Sequence, residues 1–495
     1  MASVLRSSVL NLAATIVSLI AGFATSIITA RLLGPGGSGA VAFAIWAVTS
    51  ASAIADFGMP QTLLRHVGST GTDDRAWKMQ VRAAFQVFIL PVGAVALAML
   101  GYSAFGRITE GDDTGLIWII TTLLFLAYTF AHFSGAIARG RDRFSETAAS
   151  TVIGCLLQIP LVFAGAWFFG PAGALAGVIV RYLPQGLRLR RYLDLRLPVA
   201  GSSLTADMRA YGRQMWLSDL VDVVGLSRIE FLFLGFFFSS TEVGYFAAAM
   251  VFAGLVGQLT LQISPALIVG FSAAGTSEDR LTLYRQSLRT IALLVFPISL
   301  GGAAIIPELL PLLLGEEFRP AATAASLLLG ISLLPGLAVV PWGFLAGSGS
   351  GQKLLSVMLI SAIVSAVLLV VAVPYFGVIG AALVRAFVEA LSLGMLLMIA
   401  ARAGGAMPGF ILLKTLTAAA ICGMIAYGTT QMVSGVSGIA LAIVAGALAY
   451  LLAVRLFRLI DACDTIKLET AAGRLPGSAA WLLRRLLRLI APMPA

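Results

Sequence analysis

A small set of charged residues lies inside the long apolar stretches of this 495-residue chain. A charge at the centre of a membrane helix costs about 2.5–3.5 kcal/mol on insertion scales, so such a group tends to face a cavity or a charged partner. The arginines of this set are therefore candidate anion-binding residues, and the acidic residues are candidate ion-coupling residues or charge partners. The set comprises Arg181, Asp219, Asp222, Arg228, Glu230, Arg385 and Glu389, with Arg31 and Asp56 near the ends of their stretches.

Each candidate arginine has a structural alternative to anion binding. Arg181 and Arg228 are candidates either for binding an anion or for a structural ion pair, or for extending to the inner membrane surface. Arg385 lies four residues before Glu389, so these two side chains can pair along one helix. Arg31 lies at the outer end of the first apolar stretch, where it is a candidate release-side anion contact or an anchor at the helix rim.

Most of the acidic candidates lie in one predicted helix, at 214–238. Asp219, Asp222 and Glu230 share one face of this helix, which predicts a polar face next to a cavity. Asp222 and Glu230 are also candidates to neutralise the nearby arginine, so ion coupling and charge pairing both stay open. Asp56 lies near the inner end of the second apolar stretch and is a candidate helix-end residue or a contact between lobes.

The composition requires that these residues be positioned by membrane helices. Hydrophobic residues make up 59% of the chain, charged residues make up 11%, and the mean hydropathy is +0.97. A bilayer core about 30 Å thick is crossed by roughly 20 apolar residues in a helix. The apolar stretches between Ser8 and Leu459 therefore predict an all-α polytopic membrane protein with 14 transmembrane helices.

The basic residues predict a fixed orientation. Of the 33 lysines and arginines, 27 fall in alternate breaks or in the C-terminal tail, whereas the opposite breaks hold Arg31, Arg107 and Arg319. Positive residues concentrate on the cytoplasmic side of membrane proteins. The pattern therefore predicts a multi-pass membrane protein with both termini inside, and we expect it to lie in the bacterial inner membrane. The net charge of +10 favours contact with anionic membrane lipid. We expect no nucleic acid among the partners.

Two pairs of segments indicate an internal duplication. The segment WFFGPAGALAG at 167–177 is echoed by PYFGVIGAALV at 374–384, and 34–44 is echoed more faintly by 239–249 at nearly the same offset. Copies of six helices each have the same orientation, which predicts a parallel repeat with a substrate path between two six-helix lobes. The predicted divisions are an N-terminal six-helix lobe at 1–192, a cytoplasmic linker at 193–213, a C-terminal six-helix lobe at 214–400, helices 13 and 14 at 401–459, and an amphipathic cytoplasmic tail at 460–495.

The sequence contains none of the motifs that mark a soluble enzyme. It has no P-loop, no HExxH pair and no nucleophile elbow. The two histidines, His66 and His132, are far apart, and the three cysteines have no paired spacing. We therefore expect no catalytic residue, no metal and no cofactor. Transport would then draw on an ion gradient or on the membrane potential.

Several short segments, in this order and spacing, carry a resemblance to a known family. They are ARLLGPGGSGAVAFA, DFGMPQTLLRHVG, GRDRF, FFGPAGALAG, EVGYFAAA and GEEFRPAATAASLLL. With them the chain resembles the polysaccharide transporter and O-antigen flippase branch of the multidrug/oligosaccharidyl-lipid/polysaccharide exporter superfamily. The resemblance implies two six-helix lobes around a central cavity, and alternating access that carries a lipid-linked sugar to the outer leaflet. Because the chain has only four lysines, cavity charge would come from arginine.

The leading hypothesis is a flippase for a polyprenyl-pyrophosphate-linked oligosaccharide, with that lipid-linked substrate, membrane lipid and glycan-assembly proteins as partners. An ion-coupled multidrug or small-molecule exporter of the same superfamily is the first alternative, although it would favour an acidic cavity for cationic drugs. A membrane glycan polymerase or ligase is the second. Such an enzyme needs a large outer loop, and the longest predicted one is at 105–115.

Overall fold

The computed structural model describes residues 2–70, 73–109, 112–197 and 204–459. Over these residues the chain is helical and contains no β-strand. Ten of the described helices are long and apolar enough to cross a membrane. An all-helical polytopic membrane protein is thereby confirmed. The predicted amphipathic tail at 460–495 lies outside the described residues.

The helices follow one another through short connections. A π-helix at Val221–Ser227 joins α7 to α8, and a 3₁₀-helix at Glu316–Ala321 precedes α11. The α-helices are α1 (Ala2–Ala55), α2 (Met59–His66), α3 (Asp74–Thr109), α4 (Asp112–Gly140), α5 (Phe144–Leu187), α6 (Leu189–Tyr192), α7 (Ala206–Leu220), α8 (Glu230–Phe237), α9 (Ser240–Ala273), α10 (Ser277–Leu314), α11 (Ala322–Ile331), α12 (Leu333–Gly347), α13 (Gly351–Arg402), α14 (Gly409–Met432) and α15 (Gly435–Leu456).

Glycine folds α5 back on itself. Gly170 has φ 59° and ψ −144°, a conformation that side chains other than glycine rarely adopt. On either side of it the two legs touch. A Cβ on Gly173 would lie 2.1 Å from the carbonyl oxygen of Gly165, and one on Gly177 would lie 2.5 Å from the nitrogen of Val162. Helix α5 is therefore a hairpin, with a first leg before Gly170 and a second leg after it.

The echoed segment in α13 bends at the matching glycine. Gly377 has φ 53° and ψ −132°, close to the values at Gly170. A Cβ on Gly380 would lie 2.5 Å from the carbonyl oxygen of Ala372 across the bend. A third positive-φ glycine, Gly34 (φ 65°), interrupts α1. Gly170 and Gly377, which occupy matching places in the echoed segments, thus have nearly the same backbone conformation.

The continuous helix predicted at 214–238 is wrong. Helix α7 ends at Leu220 and is followed by the π-helix, and Arg228 then leaves helical geometry with φ −155° and ψ 33° before α8 begins. Because π-helix turns are wider than α-helix turns, Asp219, Asp222 and Glu230 do not share the face of one α-helix. Gly225 has weak helix propensity, and the Ser227 hydroxyl donates to the Asp222 carboxylate at 3.5 Å, which competes with regular backbone pairing.

The described residues divide into two compact units. The first lies within Met1–Ala248 and Ala362–Ala381, and the second lies within Ala249–Ser361 and Ala382–Ala495. The largest buried side chains of the first unit include Trp77, Phe88, Phe125, Phe133 and Tyr192. Ring contacts join α3 to α4 through Phe88 and Phe133, and α3 to α6 through Trp77 and Tyr192. The predicted division into six-helix lobes stays a prediction.

Candidate functional site

A cavity of about 390 Å³ lies inside the first unit, between α1, α4 and both legs of α5. This volume falls in the range of ligand-binding pockets. Its wall combines small residues with aromatic rings, hydroxyl groups and two arginines. The lining residues are Ala14, Thr15, Ser18, Tyr128, Ala131, His132, Gly135, Arg139, Thr147, Ala148, Ser150, Thr151, Arg181, Tyr182 and Gln185.

Helical spacing explains why these side chains meet. On α4, Tyr128, His132, Gly135 and Arg139 recur every three or four residues, so they form one face of the helix. Positions 14, 15 and 18 do the same on α1. The hairpin then brings positions 147–151 of its first leg and 181–185 of its second leg to the same space. The glycine bend at Gly170 is what allows one helix to contribute two walls.

Arg181 is held in the cavity by neutral groups. Its Nη2 donates to the hydroxyl of Ser18, and its Nη1 donates to Oε1 of Gln158 at 3.5 Å. The Gln158 amide is fixed in turn, because its Nε2 donates to Thr25 Oγ1 at 2.9 Å. The guanidinium also lies 5.7 Å from the ring centroid of Tyr182. No carboxylate of the described chain forms an ion pair with Arg181, so its charge is uncompensated.

A second arginine, Arg139, lines the cavity near the end of α4. Its side chain is partly buried, and its Nε donates to the carbonyl oxygen of Gly135 at 3.3 Å. Arg139 is absent from the predicted site residues, because the arginines near it give this part of the sequence the composition of a cytoplasmic break. The signal that identifies it is its spacing from Tyr128 and His132, which continues the polar face of α4 into the last helical turn.

Aromatic rings and hydroxyl groups complete the wall. The rings of Tyr128 and Tyr182 meet edge to face at 5.2 Å, and the His132 ring stacks parallel to Tyr128 at 6.1 Å. Threonine and serine hydroxyls come from the first leg of α5. The lining residues include no aspartate or glutamate. Two arginines without an acidic neighbour in the wall give the cavity a positive potential, which favours an anionic ligand.

The other predicted anion-binding residues are not among the residues that line the cavity. Arg228 is exposed at the end of the π-helix. Arg31 is exposed on α1, three residues before its kink. Arg385 lies in the second unit, where its Nη2 is 3.9 Å from Oε1 of Glu389, as their spacing predicts. Of the four arginines predicted to bind an anion, Arg181 is the one that lines the cavity.

The acidic candidates are also outside the cavity wall. Asp56 is buried and accepts a hydrogen bond from the Gly58 amide at 2.8 Å, at the end of α1. Asp219 accepts one from Gln61 Nε2 at 3.4 Å. Glu230 is buried at the start of α8, and Asp222 is exposed. Across the described residues, no three His, Cys, Asp or Glu side chains are grouped as metal ligands would be.

A second, apolar cavity of about 500 Å³ is lined by residues of the first unit and shares Tyr182 with the first cavity. Its wall is formed by leucines, phenylalanines and small residues, and Arg190 is its one charged lining residue. A ligand site is recognised by several polar groups that converge in a pocket. The cavity that holds Arg181 and Arg139 meets this criterion, and it is therefore the candidate site.

The fold of the chain is similar to those of several solved transporters. The chain is similar to the lipid II flippase MurJ in an inward closed conformation, with a TM-score of 0.74, 13% identity, and coverage of 91% of this chain and 98% of that chain. It is similar to a multidrug resistance MATE family transporter of the MOP superfamily in an inward-facing conformation (TM-score 0.64, 16% identity, 80% and 98% covered). A MOP superfamily transporter from Pyrococcus furiosus, described as having a binding pocket of reverse polarity, gives a TM-score of 0.55 at 17% identity, with 82% and 96% covered.

These similarities establish the fold of the MOP superfamily. No curated protein matches the chain. The family model described as polysaccharide biosynthesis protein matches residues 28–323, which is more than half of the chain and includes every residue of the cavity wall from Tyr128 onward. The chain belongs to the polysaccharide biosynthesis protein family.

Proposed function

We propose that this protein is a flippase that moves a polyprenyl-pyrophosphate-linked oligosaccharide from the cytoplasmic leaflet to the outer leaflet. The positive cavity is the observation that carries the proposal. A pyrophosphate that leaves headgroup water needs fixed positive charge, and Arg181 and Arg139 supply it beside a wall without carboxylates. The family and the fold agree with transport of a glycan precursor.

The chemistry of the cavity wall favours this function over export of cationic drugs. A drug exporter needs carboxylates or exposed aromatic faces to hold a cation, whereas Arg181 and Arg139 would repel one. The three parts of a lipid-linked oligosaccharide match three surfaces. The phosphates are suited to the arginines, the sugars to hydroxyl and amide groups, and the lipid tail to the surrounding bilayer.

The membrane topology in this proposal has fourteen passes. Each leg of α5 and each half of α13 is long enough for one crossing at 1.5 Å per residue, because the bends at Gly170 and Gly377 fold the helices back. The segment from α7 to α8 adds one crossing across its π-helix, and α1 adds two around Gly34. The positions of these bends support a parallel repeat. The arginine-rich breaks support an inner membrane location with both termini in the cytoplasm.

The test determines in which leaflet the lipid-linked oligosaccharide accumulates. In host cells depleted of the protein, mass spectrometry should detect this lipid, and a membrane-impermeant oxidant added to spheroplasts should fail to reach its sugars. Wild-type protein should restore their oxidation, and Arg181→Ala should not. Arg319→Ala is the matched control, since that guanidinium is exposed and paired with Glu316 at 2.8 Å.

Two outcomes would contradict the proposal. One is depletion without any accumulation of a lipid-linked sugar. The other is an Arg181→Ala protein that exposes the sugars as fast as wild type at equal expression. If depleted cells instead retained cationic dyes while their glycan lipids stayed normal, the exporter alternative would replace the flippase.

A further inference from the structure

The side-chain amide of Gln185 lies in the cavity wall, and one of its two polar atoms has no hydrogen-bond partner among the described residues. Its Nε2 donates a hydrogen bond to Ser134 Oγ at 3.0 Å. Its Oε1 is buried and accepts no hydrogen bond from the described residues. A buried polar atom without a partner is destabilising, so Oε1 is suited to accept a hydrogen bond from a ligand.

Contacts between α4 and the second leg of α5 show where Gln185 lies along the helix axes. The ring of Tyr182 meets that of Tyr128, and three residues further along Gln185 meets Ser134. A Cβ on Gly135 would lie 3.9 Å from Cγ of Gln185. Residue numbers therefore rise together on α4 and on the second leg, so these two helical segments run parallel.

This parallel arrangement places Gln185 between the two arginines. Arg181 precedes Gln185 by four residues on the second leg. Arg139 follows Gly135, the residue facing Gln185, by four residues on α4. At 1.5 Å per residue, the backbone of each arginine lies about 6 Å from the level of Gln185, on opposite sides. Gln185, which supplies the hydrogen-bond acceptor, thus lies between Arg181 and Arg139, each about one helical turn away.

The surface beside Gln185 is aromatic. Tyr128, Tyr182 and His132 line the same part of the cavity, and Tyr128 touches both other rings. A pyranose sugar has hydroxyl groups around its edge and an apolar face of C–H groups. An aromatic wall next to a hydrogen-bond acceptor suits both features. A phosphate alone would use neither of them.

We propose that Gln185, Tyr128 and Tyr182 form a sugar-binding subsite for the sugar that is attached directly to the pyrophosphate. A sugar hydroxyl donates to the free end of the Gln185 amide, the ring packs on the tyrosines, and an arginine one turn away holds the phosphate. This proposal rests on the proposed function and deepens it. It predicts that the protein distinguishes a glycosylated lipid diphosphate from a bare one.

Calorimetric titration of the full-length protein in detergent micelles tests the subsite with two short-chain probes. One is farnesyl diphosphate, and the other is the same lipid carrying a single N-acetylglucosamine on the diphosphate. Wild type should bind the glycosylated probe more tightly. Gln185→Met, which keeps the side-chain volume, should lower the affinity for the glycosylated probe by up to about tenfold. It should leave the affinity for the bare probe unchanged. Arg181→Ala should weaken both probes.

Two further variants separate the subsite from a folding defect. Tyr128→Leu should also weaken the glycosylated probe selectively. Gln352→Leu, an exposed glutamine at the start of α13, should change neither affinity. Equal affinity of wild type for the two probes, or equal weakening of both by Gln185→Met, would overturn the subsite while leaving the flippase proposal intact. A wild-type protein that binds neither probe would overturn both proposals.

Discussion

Gly154→Ala should damage both the hairpin α5 and the anion site. Gly154 lies on the first leg, and a Cβ there would be 2.1 Å from the carbonyl oxygen of Arg181 on the second leg. Ordinary van der Waals contact begins at 3.4 Å, so the legs would have to separate by roughly 1.3 Å, the difference between these two distances. The same movement would pull Arg181 away from Gln158, to which it donates at 3.5 Å. One methyl group therefore tests packing and binding together.

The magnitude comes from two opposing terms. Replacing glycine by alanine inside a helix stabilises it by about 0.8–1.0 kcal/mol through intrinsic propensity. Inserting a methyl group into a closely packed interface costs typically about 1–3 kcal/mol. Gly93→Ala on α3 is the matched control, because its Cβ would meet nothing within 4 Å. Propensity cancels between the two variants, so Gly154→Ala should be about 1–3 kcal/mol less stable than Gly93→Ala.

The assay is the apparent thermal midpoint of the purified protein in detergent, with farnesyl diphosphate binding measured on the same samples. A difference of 1 kcal/mol moves the midpoint by about 2–4 °C in a domain of roughly 150–250 residues. Gly154→Ala should therefore melt several degrees below Gly93→Ala and bind the probe more weakly. If the two variants melted together and bound equally, the close approach of the legs would not be what positions Arg181.

Two other substitutions test Arg139, which was not predicted as a site residue, and Asp56, for which the sequence left more than one role open. Arg139→Ala should weaken binding of farnesyl diphosphate roughly tenfold or more, since a charge-assisted hydrogen bond contributes about 1.5–3 kcal/mol. Titration beside Arg319→Ala checks this, and an unchanged affinity would remove Arg139 from the site. Asp56→Asn should keep its hydrogen bond from the Gly58 amide and support normal exposure of the lipid-linked sugars in spheroplasts. Loss of transport in a normally expressed Asp56→Asn protein would instead assign the carboxylate a role in ion coupling.

Much of the helical architecture could be predicted from hydropathy alone. The two helices predicted within 401–459 are observed as α14 at Gly409–Met432 and α15 at Gly435–Leu456, because uninterrupted apolar stretches between polar breaks leave little choice of boundary. The bend at Gly170 also follows from the sequence, since the FFGPAG segment places glycine before proline where two apolar stretches adjoin. Local composition was therefore sufficient to predict features that depend on one physical effect, either the burial of apolar residues or the backbone freedom of glycine.

The π-helix and the role of Arg139 were not predicted from the sequence, for different reasons. An apolar segment with four charges gives the same hydropathy whether its turns are regular or wide, so the break before Arg228 depends on contacts that a sequence does not display. Arg139 was assigned to a cytoplasmic break because charge counting treats every basic residue near a helix end alike. Its role depends on where α4 ends, at Gly140, one residue after the arginine.

The partners of an intramembrane arginine indicate whether its charge is available to a ligand. Arg385 faces Glu389 at 3.9 Å, so an incoming phosphate would have to compete with a carboxylate that is already in place. Arg181 is instead oriented by Ser18 and Gln158, which accept its hydrogen bonds without cancelling its charge. Leaving an uncompensated guanidinium in the membrane is costly, and a structural role would be served better by an ion pair. We therefore propose Arg181, and not Arg385, as the intramembrane arginine that binds the anionic part of the proposed substrate.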